Sequence, residues 1–214
     1  MTVQDAFNTE IATGFSLRAE PFINCWMKQM KTNTVGETLY WCYANLAMSH
    51  AAITHQATAI GRRHFIIRSR LYAGLRKGTM NVGPLADDER LKLVLPQACA
   101  YCGSREYLAV DHLVPRKRGG PDAGDNMVWA CRSCNSSKGA RDALEWLANH
   151  GQFPPLLLLR RYLKLAIEHC SEHGLMEQPV AEASDLPFAL HALPRSFPPP
   201  STLVLWTVPL DISE

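Results

Sequence analysis

The spacing of apolar residues divides the chain into helical flanks and a turn-rich middle. Helical periodicity predicts helices over about residues 20–30, 34–59, 62–75 and 155–173. In the second of these segments the apolar residues do not keep to one face, which indicates a helix that is buried on several sides.

The middle of the chain consists of short elements separated by turns. β-branched and aromatic residues predict one strand in "EYLAVDHLV" and a second in "NMVWAC", with the turn-rich loop "RGGPDAGD" between them. From about residue 135 to residue 149 the pattern becomes helical again. Near the end, "LPRSFPPPSTLVLWTVPLD" predicts an extended strap over a core, because Leu203, Leu205 and Trp206 would be costly to expose.

These patterns predict an α+β chain in three regions. Residues 1–90 form a helical N-terminal region with a basic helix at 62–77, residues 91–150 form a small strand–strand–helix domain, and residues 151–214 form a helix followed by a proline-rich extended tail.

The formal net charge of +2 conceals an uneven distribution. Residues 62–77 carry six basic side chains and no acidic one, whereas residues 168–214 carry seven acidic side chains and one basic one. A basic middle favours a surface that faces a polyanion, and a solvated helix face is the competing interpretation.

The chain has seven cysteines and a start that lacks the features of a secretory signal, which predicts a reduced, cytoplasmic protein and argues against a disulfide scaffold. The most apolar window, "TLYWCYANLAMSHAAI", is too short and too polar for a membrane span, so no membrane association is expected. The isolated Cys25, Cys42 and Cys170 are expected to be small buried hydrophobes. The histidines outside the strand–strand–helix segment have no carboxylate or cysteine at the spacing of metal ligands, although His169 and His173 are four residues apart.

Two Cys-x-x-Cys pairs, Cys99 with Cys102 and Cys131 with Cys134, are separated by 28 residues. Such pairs supply four thiolates for one tetrahedral zinc ion, and a site with four protein ligands is structural because no position is left for water. A redox dithiol and simple packing of the thiols are the alternatives.

Between and just after these pairs lie side chains suited to phosphodiester hydrolysis. Asp111 and Asn135 offer the hard oxygens that Mg²⁺ or Mn²⁺ prefers, and the His112 imidazole could take a proton from water. Neighbours on a strand face opposite sides, so Asp111 and His112 cannot both point at one metal from a regular strand. We therefore expect His112 at the strand's end, with Asn126 holding the following turn by hydrogen bonds to backbone.

The segment "VDHLVPRKRGG…DNMVWACRSCNSSKGARD" resembles the HNH endonuclease motif in its zinc-bearing form. The resemblance implies a ββα-metal fold over about residues 97–148 with one catalytic divalent cation. By position, His112 is similar to the general base, Asn126 to the residue that braces its loop, and Asp111 and Asn135 to the metal ligands. Asn135 occupies the third position of the motif, which is histidine in the letters H-N-H. Members of the family also use asparagine at this position.

Basic side chains around this motif are expected to contact phosphates of a nucleic acid without reading bases. They are Arg116, Lys117, Arg118, Arg132, Lys138 and Arg141. Each of them alone could instead be an ordinary surface charge.

The leading hypothesis is a nuclease that hydrolyses DNA with one Mg²⁺ or Mn²⁺ and carries one structural Zn²⁺. A non-catalytic, zinc-stabilised nucleic-acid-binding module is the alternative. The large flanks also motivate a third hypothesis, the nuclease effector of a prokaryotic defence system that works with a partner protein or as a homodimer. The basic helix would dock nucleic acid or such a partner.

Overall fold

The computed structural model describes residues 32–184 and 186–208, so the helix predicted over residues 20–30 lies outside the described residues. Its helices are α1 (Val35–Thr54), α2 (Arg62–Arg76), α3 (Leu85–Val94), α4 (Arg132–Lys138), α5 (Ala143–Asn149) and α6 (Leu156–Glu172), and its strands are β1 (Leu108–His112) and β2 (Met127–Cys131). The α+β prediction is confirmed, with a two-stranded sheet followed by a short helix.

Helix α1 lies at the centre of the helical region and packs against both α2 and α6. The Thr34 side chain caps its start by accepting the backbone N–H of Glu37. Buried residues on several sides of α1 agree with its lack of one apolar face. The helix ends at Thr54, five residues before the predicted end, and Gln56 then adopts a left-handed conformation with φ of 50°.

Strands β1 and β2 pair antiparallel, with Leu108 opposite Cys131 and His112 opposite Met127. The helix predicted over residues 135–149 is two helices, α4 and α5. Gly139 separates them with φ of 54°, and the Asp142 carboxylate caps the second helix. The apolar residues that predict a helix here all lie in α5, whereas α4 has the sequence RSCNSSK, so apolar spacing does not show the break.

The proline-rich segment, which we call the strap, contains a 3₁₀ turn at Pro200–Thr202 and supplies a cap for α6. The helix begins after Pro155, which offers no capping side chain. Instead, the backbone N–H groups of Leu156 and Leu157 donate to the carbonyls of Val204 and Leu205 at 3.0 and 3.1 Å. These contacts satisfy N–H groups that a helix start leaves unpaired. Within the described residues, no helix combines the length and apolarity needed to cross a membrane.

Asp142 is a fully buried carboxylate that joins three parts of the fold. One oxygen accepts the backbone N–H groups of Leu144 and Glu145 at the start of α5, at 2.9 and 3.1 Å. The other accepts the Tyr162 hydroxyl of α6 at 2.7 Å and the Ala189 N–H at 3.3 Å. Burial raises the pKa of Asp142, and the hydrogen bonds that it accepts act in the opposite direction.

We predict that Asp142→Ala lowers the free energy of unfolding by about 2–4 kcal/mol. The change removes a helix cap worth roughly 1 kcal/mol and leaves the buried Tyr162 hydroxyl without its acceptor at roughly 1–3 kcal/mol. The Ala189 N–H keeps the Tyr162 oxygen as a partner at 3.0 Å. Urea denaturation followed by circular dichroism measures the loss. The exposed Asp87→Ala is the matched control, and an equal loss in both variants would contradict the assignment.

Candidate active site and zinc centre

The two Cys-x-x-Cys pairs converge on one point. The sulfurs of Cys99, Cys102, Cys131 and Cys134 all lie within 4.8 Å of one another. The Cys102 and Cys131 sulfurs are 3.7 Å apart, and a tetrahedron with Zn–S bonds of about 2.3 Å has edges of about 3.8 Å. The donor set and its spacing therefore fit a structural zinc ion. Among the described residues this is the one group of three or more His, Cys, Asp or Glu with ligand atoms close enough for a metal.

The local environments of these thiols differ. The Cys131 sulfur accepts the backbone N–H of Cys134 at the start of α4, and this hydrogen bond lowers the pKa of Cys131. Burial raises the pKa of Cys134, and the neighbouring thiols raise it further. A bound divalent cation favours the thiolate form of all four ligands.

The first pair is fastened to the rest of the chain by backbone contacts. Ala100 donates its N–H to Trp129 of β2 at 2.8 Å, and the Thr207 hydroxyl in the strap donates to the Cys99 carbonyl at 2.9 Å. Gly103 lies so close to the Thr207 carbonyl that a Cβ at this position would sit 2.7 Å from it. The zinc centre thus contacts both the sheet and the C-terminal strap.

Asp111 points into the protein, where only 6% of the residue is exposed. Its Oδ2 accepts the Tyr101 hydroxyl at 2.6 Å, and its Oδ1 pairs with the Lys138 ammonium at 3.0 Å. Tyr101 belongs to the first Cys-x-x-Cys turn and Lys138 to the last turn of α4, so the carboxylate connects both halves of the zinc centre. Burial, followed by the charge of Asp111, raises the pKa of Tyr101, which keeps the phenol a hydrogen-bond donor.

Lys138 and Arg141 differ from the arrangement that the sequence predicts. Lys138 is 1% exposed and its ammonium forms an ion pair with Asp111, so the ammonium is not accessible to a phosphate. Helix α4 ends at Lys138, and Arg141 lies beyond that end. Its guanidinium donates to the carbonyls of Ser137 and Lys138 and so binds the helix end.

His112 points away from Asp111 and is half-buried at the protein surface. Its Nε2 lies 2.9 Å from Oδ1 of Asp122, and the other oxygen of Asp122 lies 3.3 Å from Arg116. Sequence reasoning missed Asp122, which stands in the loop between the strands. The signal that could have found it is an acidic residue two positions after the glycine pair in the loop between the strands.

Asn126 is fully buried and holds the turn after His112. Its Oδ1 accepts the Val114 N–H at 2.8 Å, and its Nδ2 donates to the carbonyls of Val114 and Pro121, each at 2.8 Å. These are the hydrogen bonds to backbone that the sequence predicts. They fix both ends of the loop that carries Asp122 close to the imidazole.

The remaining predicted residues lie on the same small domain. Asn135 is half-buried on α4, one turn before Lys138, and side chains three apart on a helix share a side. Arg132 is exposed on the first turn of α4, and residues 116–118 form an exposed 3₁₀ turn. Of these, Arg118 forms an ion pair with Glu145 of α5 at 3.2 Å.

The oxygens of Asp111 and Asn135 fit a hard divalent cation in their chemistry. Both carboxylate oxygens of Asp111 already accept a hydrogen bond, but each has a second lone pair. The Lys138 ammonium is the cation that this structure places against Asp111. A divalent ion at this carboxylate would therefore share Oδ1 with Lys138 or displace it.

The other candidate ligands do not form a second centre in the described part of the chain. Cys42 and Cys170 are buried singly, as predicted, and Cys25 lies outside the described residues. His169 and His173 stack with ring centroids 4.2 Å apart, and Nδ1 of His173 bonds to the His169 carbonyl near the end of α6. The His173 ring therefore bonds to a carbonyl in the last turn of α6.

We predict that the purified protein carries one zinc ion and that Cys102→Ser abolishes stoichiometric zinc binding and lowers the melting temperature. Three thiolates and a hydroxyl bind zinc more weakly than four thiolates do, and binding energy at a structural site is folding energy. Elemental analysis and thermal melting measure the two effects. Cys42→Ala, which removes a thiol outside the cluster, should keep full zinc content; loss of zinc in both variants, or in neither, would contradict the four-thiolate site.

We also predict that Lys138→Met lowers the free energy of unfolding by about 3–5 kcal/mol, because it leaves the buried Asp111 carboxylate without its counter-charge. The double change Asp111→Asn with Lys138→Met removes both charges and should recover most of the loss. Urea denaturation of the single and double variants measures the coupling. Additive effects would show that the two side chains act independently.

The comparisons with known proteins agree with this architecture. Residues 99–141 match a family model described as HNH endonuclease. Searches of curated proteins and of solved structures gave no significant match. The matched segment begins at the first zinc-pair cysteine and ends just after α4, so it contains both strands, the four cysteines and the residues around His112. Residues 99–141, which we call the HNH segment, are therefore similar to the HNH endonuclease family and hold a four-cysteine cluster suited to zinc.

Proposed function

We propose that this protein is a divalent-metal-dependent endonuclease that hydrolyses phosphodiester bonds in DNA. The observation that carries the proposal is the pairing of His112 with Asp122 at the surface of the HNH segment. A half-buried imidazole with a carboxylate on one ring nitrogen is suited to general-base chemistry. A module that only binds nucleic acid has no need of such a pair.

His112 would activate the attacking water. When Asp122 accepts the proton on Nε2, the neutral imidazole keeps the lone pair on Nδ1, and this nitrogen can take a proton from water. The carboxylate also stabilises the imidazolium that forms. Asp122 therefore acts on the reaction through His112 and is a positioning residue in this proposal.

Asp111 and Asn135 would hold the divalent cation, which when bound would stabilise the charge that develops on the phosphate and on the leaving oxygen. Asn126 would keep the His112 turn in place through its three backbone contacts. The exposed Arg116, Lys117, Arg118 and Arg132 would hold the DNA backbone. Lys138 is left out of that set because its ammonium is buried against Asp111.

A non-catalytic nucleic-acid-binding module is the second candidate, and one observation favours it. Each carboxylate oxygen of Asp111 already accepts a hydrogen bond, from Tyr101 or from Lys138, and this arrangement also fits a purely structural network. A role as the nuclease effector of a prokaryotic defence system, together with a partner protein or a second copy, stays a hypothesis that rests on the helical regions outside the HNH segment. The cytoplasmic location likewise stays a prediction.

We predict that the wild-type protein nicks supercoiled plasmid DNA with Mg²⁺ or Mn²⁺ and that His112→Ala lowers the rate by about 10²–10⁴-fold, the usual contribution of a general base. Asp122→Asn should lower kcat by a smaller factor with little change in KM, and Asp122→Glu should restore part of it. The ¹⁵N shifts of His112 should report a proton on Nε2 in wild type and a changed tautomer balance in Asp122→Asn.

Asp125→Asn in the same loop is the matched control, because it removes a carboxylate that makes no contact with His112. Equal nicking by wild type and His112→Ala would remove His112 from the reaction. DNA binding without cleavage under any metal would favour the binding module.

A further inference from the structure

We propose that the exposed face of α2 is a second DNA-binding surface, outside the HNH segment, that holds the phosphate backbone. The proposal rests on the proposed function only for the identity of the polyanion. The surface itself is defined by charge, exposure and packing in the helical region, and we call it the α2 basic face. It consists of Arg62, Arg63, Arg70, Arg76 and Lys77.

The charge around α2 is of one sign over a long stretch of the chain. Between Glu37 and Asp87 the sequence contains no acidic residue, and the six Arg and Lys side chains of that stretch all lie within residues 62–77. Helices α1 and α2, which pack against each other, therefore contain a single carboxylate, that of Glu37. A surface of this kind attracts a polyanion over several ångströms.

The helix separates its exposed cations from its buried residues. At about 100° per residue, the exposed positions of α2 and its C-cap fall within an arc of roughly 140°. The opposite side is buried and consists of His64, Arg68, Tyr72, Gly74 and Leu75. All five exposed cations can therefore face the same ligand.

Packing against α1 fixes the orientation of the α2 basic face. The buried Arg68 guanidinium lies 4.6 Å from the Trp41 ring and 5.0 Å from the Phe65 ring, and it donates to Asn45 at 3.3 Å. The Trp41 ring also meets the Tyr72 ring edge-on, with centroids 5.2 Å apart. The sixth cation thus anchors the helix, while the other five remain available at the surface.

Most of the α2 basic face is not neutralised by the protein. Arg76 pairs with Glu37 at 2.9 Å, and Arg63 contacts the neighbouring His64 ring. Across residues 32–184 and 186–208, no salt bridge involves Arg62, Arg70 or Lys77. These three side chains can therefore bind a phosphate without first breaking an ion pair within the protein.

The dimensions and composition favour DNA over a membrane as the ligand. From Arg62 to Lys77 the helix rises about 22 Å, which corresponds to roughly six base pairs of duplex. A helix that binds a membrane inserts its apolar face into lipid, but here that face is occupied by α1. Ile66 is the large apolar side chain on the exposed side, and it is only 37% exposed.

The test measures binding separately from cleavage, in the His112→Ala background of the full chain. Two triple variants remove the same amount of charge: Arg62, Arg70 and Lys77→Gln on the α2 basic face, and Arg90, Arg105 and Arg195→Gln at exposed positions elsewhere. Fluorescence anisotropy with a labelled duplex of random sequence gives the affinity from about 50 to 200 mM salt, the range over which phosphate contacts weaken strongly. Thermal melting confirms that both variants are folded.

We predict that the α2 variant binds the duplex at least 10-fold more weakly and that its slope of log K against log salt falls by about 0.9 for each lost contact, up to about 2.7. The control triple should change affinity less than about 2-fold. An equal loss of DNA affinity in the two variants would show that only net charge matters, and it would overturn the proposal. Binding to phosphatidylserine vesicles in place of DNA would overturn it in favour of a membrane surface.

Failure of the nuclease proposal would look different. The duplex would then still bind through the α2 basic face, while wild type and His112→Ala would cleave equally or not at all.

Discussion

Four thiols packed within 4.8 Å of one another need a shared cation if they are all to ionise, and the rest of the HNH segment is built around that requirement. The first pair sits in a turn held to β2, and the second pair forms the start of α4. Bringing the pairs together therefore closes the sheet against the helix. Two strands of five residues bury too little surface to do this by themselves.

The alternation of side chains along β1 then separates two kinds of chemistry. Asp111 faces inward, and its carboxylate contacts Tyr101 of the first cysteine pair and Lys138 at the end of α4. His112, the next residue, faces outward to Asp122. One strand thus carries a buried charge network on one side and a solvent-accessible His–Asp pair on the other. The buried network connects this strand to both cysteine pairs, while the imidazole lies on the opposite side of the strand.

Residue spacing correctly predicted the features that depend only on short stretches of the chain. The cysteine pairs, the two strands and the backbone contacts of Asn126 follow from local patterns, and each is present. Asp122 and Lys138 could not be assigned in this way, because their roles depend on where a loop and a flexible four-carbon side chain end in space. The division of the predicted helix at Gly139 was missed because α4 has the polar sequence RSCNSSK, so no apolar pattern marks where it ends and where Asp142 caps a new helix.

The predicted regions of the chain do not have separate interiors. A single cluster of buried side chains includes Val35 and Leu39 of α1, Val128 of β2 and Leu163 of α6. The strap joins these parts a second time, because it caps α6 through Val204 and Leu205 and contacts the Cys99 carbonyl through Thr207. The helical flanks therefore support the nuclease-like segment directly. The HNH segment shares its core with α1, and α2 packs against α1. The α2 basic face therefore keeps a fixed position relative to that core, which a flexible linker could not provide.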